Sequence, residues 1–312
     1  MIVSYGLRLL CACLACLFLA QAVATVALCF LWQASARVAR RMPAAGAARL
    51  ILIMRLLPTA IALGSVAMLC IPSYLQFEPD SKSEEVGLLC LALALLGFSM
   101  CVVSVRRAMK AVIPSARQRR ACAPGISHEL MCVVEASAPL CALSGILRPR
   151  LLISRAVLEA LSAEELAVAI KHERAHLRSL DNLKRLMLLL APRLPGTIAL
   201  EREWARFSEF AADDEAGGGN AERSLALASA LVRVARLGTA PAPTIAATLI
   251  GNQQDLAERV ERLLTVTGSR VQNRIDRAAW WIAATLTVSA AACLISSTPL
   301  YGVHTLIEAL MH

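Results

Sequence analysis

Aromatic residues are scarce, with six Phe, four Trp and three Tyr among 312 residues. Proteins that grip nucleic acid by stacking interleave aromatics with basic residues. No such interleaving and no recognition-helix pattern occurs here, so the formal net charge of +9 does not argue for direct nucleic-acid binding. Charge of either sign is also thin, at 18% of residues against 57% hydrophobic, with a mean hydropathy of +0.60. That is too apolar for a soluble domain and too long for one small one. Acid is missing from the connection between the first two apolar runs, where Arg37, Arg40, Arg41, Arg49 and Arg55 stand without one. The eleven cysteines supply no disulfide framework or cysteine metal site. Eight of them (Cys11, Cys13, Cys16, Cys29, Cys70, Cys90, Cys101, Cys293) fall within apolar runs, where a small soft side chain packs like Ala. Cys122, Cys132 and Cys141 lack Cys-x-x-Cys spacing.

What the chain does contain is long apolar runs. Four reach the roughly 20 residues that a bilayer core requires, at about 9–32, 56–75, 86–105 and 278–298. Arg8 and the Ala20-Gln21-Ala22 triplet imitate a cleaved signal peptide, but apolar character continues to Trp32 and a basic cluster follows, as in an uncleaved span. The expected fold is a multi-span α-helical membrane protein with four transmembrane helices. Residues 1–105 hold the first three, and 278–312 hold the fourth with a short external tail. Between helices 3 and 4, residues 106–277 form a mainly α, α+β water-exposed domain. Lys and Arg in short loops mark the cytoplasmic side. The Arg-only first loop is therefore inside, the second connection with Glu78, Asp80, Glu84 and Glu85 against Lys82 is outside, and the 106–277 domain, which opens on Arg106, Arg107, Lys110, Arg117, Arg119 and Arg120, is cytoplasmic. This predicts a multi-pass protein of the inner (cytoplasmic) membrane, its basic excess next to a span pairing with membrane lipid.

Within that domain, Lys171-His172-Glu173-Arg174-Ala175-His176 carries a chemistry in its spacing. Two His four residues apart on a helix project from one face and can bind a single Zn²⁺, while Glu173 can activate water as a general base. A helix is expected independently: Ser162-Ala163-Glu164-Glu165 is a capping box, and Leu166, Val168, Ala169, Ile170, Leu177 and Leu180 recur at helical spacing. Catalytic zinc keeps three protein ligands and an open position. A third ligand is expected in 201–216, where Glu209 and Asp213 stand i, i+4 on a second helix. One of them can bind metal while the other hydrogen-bonds a ligand imidazole. His128-Glu129 imitates the start of a second motif, but its fifth position is Cys132.

The H-E-x-x-H motif, then Asp181 five residues on, then Glu209-Phe210-Ala211-Ala212-Asp213-Asp214, resembles the BlaR/MecR-type membrane zinc metallopeptidases, gluzincins whose relatives include the HtpX and CAAX-prenyl enzymes. The run from Pro139 to Ser154 resembles that family's approach to its zinc helix. The resemblance implies a zinc endopeptidase in which His172, His176 and Glu209 hold the metal, Glu173 is the catalytic base, and Asp213 and Asp181 support the ligands from behind. It also implies a cytoplasmic transcriptional repressor as protein substrate and a role in signal transduction. The family's sensor members carry an extracellular penicillin-binding domain after the fourth span. This chain stops about a dozen residues beyond it, so direct beta-lactam sensing is not expected.

Around the motif, 130–135 and 147–153 read as short strands, and by resemblance a strand edge there would pair with extended substrate. The zinc helix is expected to continue through Asp181, Asn182 and Leu183. The apolar run 186–190, broken by Pro192, Pro195 and Gly196, grazes the membrane or walls the cleft. Gly217 to Gly219 end the second helix, and helices follow at 222–237 and 255–264. Lys171 and Arg174 are read as pointing to solvent, and Arg259 and Arg262 as solvated faces. No His lies between His176 and the last span, which leaves Arg202, Arg206, Arg259 and Arg262 as the arginines available to stabilise an oxyanion. Two rival readings stand beside the regulatory one. The first is HtpX-like membrane-protein quality control; the second is a non-proteolytic signalling or scaffold protein with a relic zinc fold, against which the intact Glu173 argues.

Overall fold

The computed structural model describes residues 5–77, 86–120, 131–134, 140–146, 149–238, 247–248 and 253–265. The expected fourth span and external tail, the acids of the second connection, and His128 and Glu129 lie outside these residues.

Three helices are long and apolar enough to cross a membrane, over Tyr5–Trp32, Ala44–Gln76 and Leu88–Ser115. The first belongs to α1 (Tyr5–Ala39). The second runs through α2 (Ala44–Ser65), a π-helical turn (Val66–Cys70) and α3 (Ile71–Phe77). The third belongs to α4 (Leu88–Arg120). Large side chains such as Phe30, Met68, Leu88 and Phe98 stand exposed on these helices, the composition of a lipid-facing surface. Close approach depends on small residues: a Cβ on Gly97 of α4 would come within 2.3 Å of the Leu14 carbonyl oxygen of α1. The basic connection expected between the first two spans is largely helical. Only a turn before Pro43 separates α1 from α2, and Arg55 lies fully buried within α2.

The remaining elements are strands β1 (Met131–Val134), β2 (Cys141–Ser144), β3 (Arg150–Ser154) and β4 (Ala247–Thr248), and helices α5 (Arg155–Ala160), α6 (Ala163–Ser179), α7 (Asp181–Leu190), α8 (Thr197–Gly217), α9 (Ala221–Arg236) and α10 (Gln253–Thr265). The sheet order is β1-β3-β2-β4, with β1 parallel to β3 and the other pairs antiparallel. Two expected strands appear as β1 and β3, and β2 lies between β3 and β4. Cys141, Leu151, Ile153, Val157, Leu161, Val168, Ala169, Leu227, Leu231 and Leu263 make one core between sheet and helices.

Helix α6 starts at the expected capping box: Ser162 Oγ accepts from the Glu165 amide, and the Glu165 carboxylate accepts from the Ser162 amide. Glu165 also accepts from Ser229 Oγ at 2.6 Å and lies 3.1 Å from Arg233. The zinc helix does not run on through Asp181. Leu180 takes a left-handed conformation (φ 57°) that ends α6 and begins α7 in a new direction. The broken apolar run forms α7 and the turn after it. There Ala191 and Pro192 offer carbonyls to Arg55 at 3.2 and 2.9 Å, while Glu201 of α8 accepts from the same guanidinium at 2.8 and 3.1 Å. Arg107 of α4 and Arg193 also face Glu201, at 3.7 and 2.5 Å. Leu28, Ala47, Ile51, Met54, Leu188, Leu200 and Trp204 pack around this cluster, so α8 is seated on the ends of α1 and α2.

Two outcomes follow. Glu201→Gln removes the one acid that faces Arg55, Arg107 and Arg193 among the described residues, and leaves a buried guanidinium without a counter-charge. Thermal unfolding in detergent is expected to show a loss of about 3 kcal/mol or more, and a smaller loss for Arg55→Leu, because Glu201 keeps its other arginines. Burial opposes the charged form of Glu165, but Ser229, Ser162 and Arg233 outweigh it and hold its pKa below the usual carboxylate value. Its contribution is therefore present above the unfolded carboxylate pKa and lost as pH falls through the lower folded value. The difference in melting temperature between wild type and Glu165→Gln is expected to be full at pH 7 and to shrink towards zero under acid. A difference that grew under acid would contradict this sign.

Candidate metal centre

His172 and His176 lie on one face of α6, fully buried, with ring planes 82° apart. Their Nε2 atoms face each other across 3.2 Å. Helix α8 brings Glu209 against them, with Oε2 3.5 Å from His172 Nε2 and Oε1 3.6 Å from His176 Nε2. These three residues are the group among the described residues that could hold a metal ion.

The Nδ1 atoms turn the other way, each to an acid. His176 Nδ1 and Asp181 Oδ2 share a hydrogen bond of 2.7 Å, and His172 Nδ1 lies 2.9 Å from Asp213 Oδ1. A carboxylate behind Nδ1 keeps the proton there and leaves the Nε2 lone pair for a ligand. The break at Leu180 makes this possible, because α7 restarts with Asp181 beneath the ring of the residue five back. Asp181 is held in turn by Ser208 Oγ, which donates at 2.5 Å, and by Lys184 Nζ at 3.0 Å.

Asp213 is clamped from the opposite side. Arg259 of α10 donates to it from Nε at 2.8 Å and from Nη2 at 2.7 Å, while its Nη1 lies 3.1 Å from Glu209 Oε2. Arg259 is 1% exposed, which corrects its reading as a solvated face. The signal was in the pattern: Arg259 falls three residues after Leu256 and four before Leu263, on the apolar stripe of α10. Of the other arginines considered for oxyanion stabilisation, Arg206 is engaged by Glu203 and Glu258, and Arg262 by Asp214 and the Phe210 carbonyl. Arg202 is exposed on α8. The arginine that sequence reading missed is Arg185 of α7, with Nη2 3.5 Å from Glu209 Oε1 and its guanidinium 5.9 Å from the Trp204 ring centre. Lys171 does not point to solvent: its Nζ donates at 2.8 Å to the Ala216 carbonyl and ties α6 to the end of α8.

Glu173 is 1% exposed and adjoins strand β2, where the Leu143 amide donates to its Oε2 at 3.1 Å. Its Oε1 is buried with no hydrogen-bond partner. Asn182 Nδ2 bonds the carbonyls of Leu143 and Gly145 at 3.0 and 2.8 Å, so α7 fixes the strand that fixes Glu173. The far edge of β2 is paired with β4 at Ala142 and Leu143, so the strand beside Glu173 is covered on both sides over those residues. Burial pushes the Glu173 carboxyl up to about 7, against the pull of the two imidazoles. Burial opposes charge on the imidazoles too, yet Asp213 and Glu209 raise His172, and Glu209 with Asp181 brings His176 to about 10. For Glu209 and Asp213, burial is outweighed by cationic neighbours, first His176 and Arg259 respectively, and both are held low.

These donors fit zinc. The ring nitrogens stand 3.2 Å apart and each faces its own oxygen of the Glu209 carboxylate, at 3.5 and 3.6 Å, separations close to the roughly 3.3–3.6 Å edges of a tetrahedron with bond lengths of about 2.0–2.2 Å. The electrostatics agree, since the carboxylates favour positive charge between the two rings.

Asp181→Asn and Asp213→Asn are each expected to weaken zinc binding about 10- to 100-fold, measured against a chromogenic chelator with the full chain in detergent. Arg259→Gln is expected to cost stability as well, by roughly 3 kcal/mol or more, because two buried carboxylates lose their common cation. Unchanged affinity in all three variants would mean that these contacts do not orient the ligands.

No curated protein matches the chain. The family model described as BlaR1 peptidase M56 matches residues 86–263, more than half of the sequence, from the start of α4 into α10. That span holds both histidines, Glu209, Glu173 and every supporting residue described above. The chain therefore belongs to the BlaR1 peptidase M56 family, and it is a membrane metallopeptidase.

Proposed function

We propose that the protein is a zinc-dependent endopeptidase of the inner membrane that cuts a cytoplasmic protein, with a transcriptional repressor as its substrate. Four spans, the fourth at 278–298, hold a catalytic domain of residues 106–277 on the cytoplasmic side, as the loop charges imply. The observation that carries the reading is the meeting of two Nε2 atoms and one carboxylate beside a second carboxylate with an unbonded oxygen. A relic or structural site has no use for that second acid.

His172, His176 and Glu209 would hold the zinc, which when bound supplies a Lewis acid that polarises a peptide carbonyl and acidifies water. Glu173 does the proton work. The Leu143 amide fixes Oε2, so Oε1 takes the proton from the attacking water and delivers it to the departing amide nitrogen. Asp181 and Asp213 hold the imidazoles in the tautomer that presents Nε2. The family resemblance and the placement of the domain beside the membrane helices support a repressor substrate and a signalling role.

Zinc content and proteolysis of the detergent-purified full chain test this together. Glu173→Ala is expected to keep one zinc per chain and to lose at least about 10²-fold in turnover. Neither protein holding zinc would overturn the metal assignment. Equal cutting of a repressor and of casein would replace regulation by quality control.

A further inference from the structure

Away from the metal centre, α1, α2 and α8 border an open-sided cavity of about 330 Å³, lined among others by Trp32 and Ala36 of α1, Arg40 in the turn after it, Ile51 of α2, and Arg202 and Phe207 of α8. Its size falls within the range of small-molecule sites, about 300–1,000 Å³. The place is defined by the helices that build it. The apolar segment of α1 ends at Trp32 and that of α2 begins at Ala44, so the cavity straddles the level at which hydrocarbon gives way to headgroups. Its walls change character over the same interval. Trp32, Ile51 and Phe207 make one part apolar, with an aromatic ring at the level where membrane proteins place them. Arg40, two turns beyond Trp32 or about 12 Å along the helix, and Arg202 supply cations at the polar part.

Those cations are available. Neither Arg40 nor Arg202 makes an ion pair with an acid among the described residues, whereas Arg55, Arg107 and Arg193 are engaged by Glu201, and Arg206 by Glu203 and Glu258. The one acid on the cavity wall, Glu203, lies 3.3 Å from Arg206, a cation it shares with Glu258. Two arginines and one carboxylate thus line the cavity, and an apolar wall adjoins them.

We infer that this cavity binds the phosphate of an anionic phospholipid, with Arg40 and Arg202 on the phosphate and Trp32, Ile51 and Phe207 against the start of the acyl chains. The two arginines line one volume from the turn after α1 and from α8, the arrangement that recognises a lipid headgroup in a basic pocket between membrane helices. The site is separate from the zinc reading and stands without it. It has one point of contact with the metal centre: Phe207 on its wall is two residues from Glu209 on the same helix.

Native mass spectrometry of the detergent-solubilised full chain, titrated with short-chain phosphatidylglycerol, counts bound lipid without the general field of a bilayer. Wild type is expected to saturate at one lipid, with a clear preference over phosphatidylcholine of the same chain length. Arg40→Gln with Arg202→Gln is expected to weaken binding roughly 25-fold, about fivefold for each arginine. Arg40→Lys with Arg202→Lys keeps most of the affinity, which excludes loss of fold as the cause, and Arg41→Gln, on an exposed arginine that does not line the cavity, leaves it unchanged. Equal binding by the double glutamine variant overturns the inference, as does equal retention of phosphatidylcholine. Displacement of the lipid by millimolar inorganic phosphate also overturns it and assigns the cavity to a free anion.

Discussion

Four carboxylates, two imidazoles and a guanidinium occupy one volume that is almost closed to water, and such a set is stable only when every charge is answered. The catalytic half of the molecule is arranged to meet that condition. Asp181 answers His176, Asp213 answers His172, Arg259 answers both Asp213 and Glu209, and Ser208 and Lys184 complete Asp181. The pairing leaves both Nε2 atoms and the Glu209 carboxylate facing one point, where positive charge is favoured. Two carboxylate oxygens facing that point lack a hydrogen bond, Glu173 Oε1 and Glu209 Oε2, and Glu209 Oε2 lies 3.1 Å from the Arg259 guanidinium.

Much of this was legible in the sequence because it is local. The i, i+4 spacing of His172 and His176, the capping box that starts their helix, and the i, i+4 pair Glu209 and Asp213 are each contained within one helix. Helical geometry alone places such residues on one face. The three apolar helices were legible for a similar reason, since length and hydropathy are properties of a single run. What escaped was set by contacts between segments far apart. Arg259 joins the site from α10, and only the tertiary fold shows whether a buried arginine meets an acid or a membrane surface. Its place on an apolar stripe was the available sign. The break at Leu180 was hidden because leucine rarely adopts a left-handed conformation, so nothing in the residue type announced that α6 stops there. Strand β2 was missed because four residues with three small side chains give no clear alternation.

Helix α8 ties the metal centre to the membrane helices. At its start Glu201 gathers Arg55, Arg107 and Arg193, and two turns later Glu209 faces the histidines. The eight-residue step from one to the other spans about 12 Å of continuous helix. Trp204 on that stretch and Leu200 just before it are packed among Ala47, Ile51 and Met54 of α2, so the helix is gripped by the membrane segment along its side as well as at its end. The buried Arg55 is the rigid part of this grip. It reaches two carbonyls of the turn after α7 together with Glu201, and so holds α7 and α8 at a fixed separation.

That separation bears on the metal site, because α7 carries Asp181, which holds His176 from behind, and α8 carries Glu209. Metal sites tolerate donor displacements of only about 0.2 Å, whereas helices at interfaces shift by about 1–2 Å when they switch state. A displacement of α2 or α4 large enough to count as a conformational change therefore exceeds what the donors can absorb, provided that α8 moves as one piece. The charge cluster around Glu201 is the place where such a displacement is passed on or resisted. A single acid serves three arginines from three parts of the chain, and it stands on the same helix that presents Glu209, so the contacts of the membrane helices and those of the metal site meet on one element.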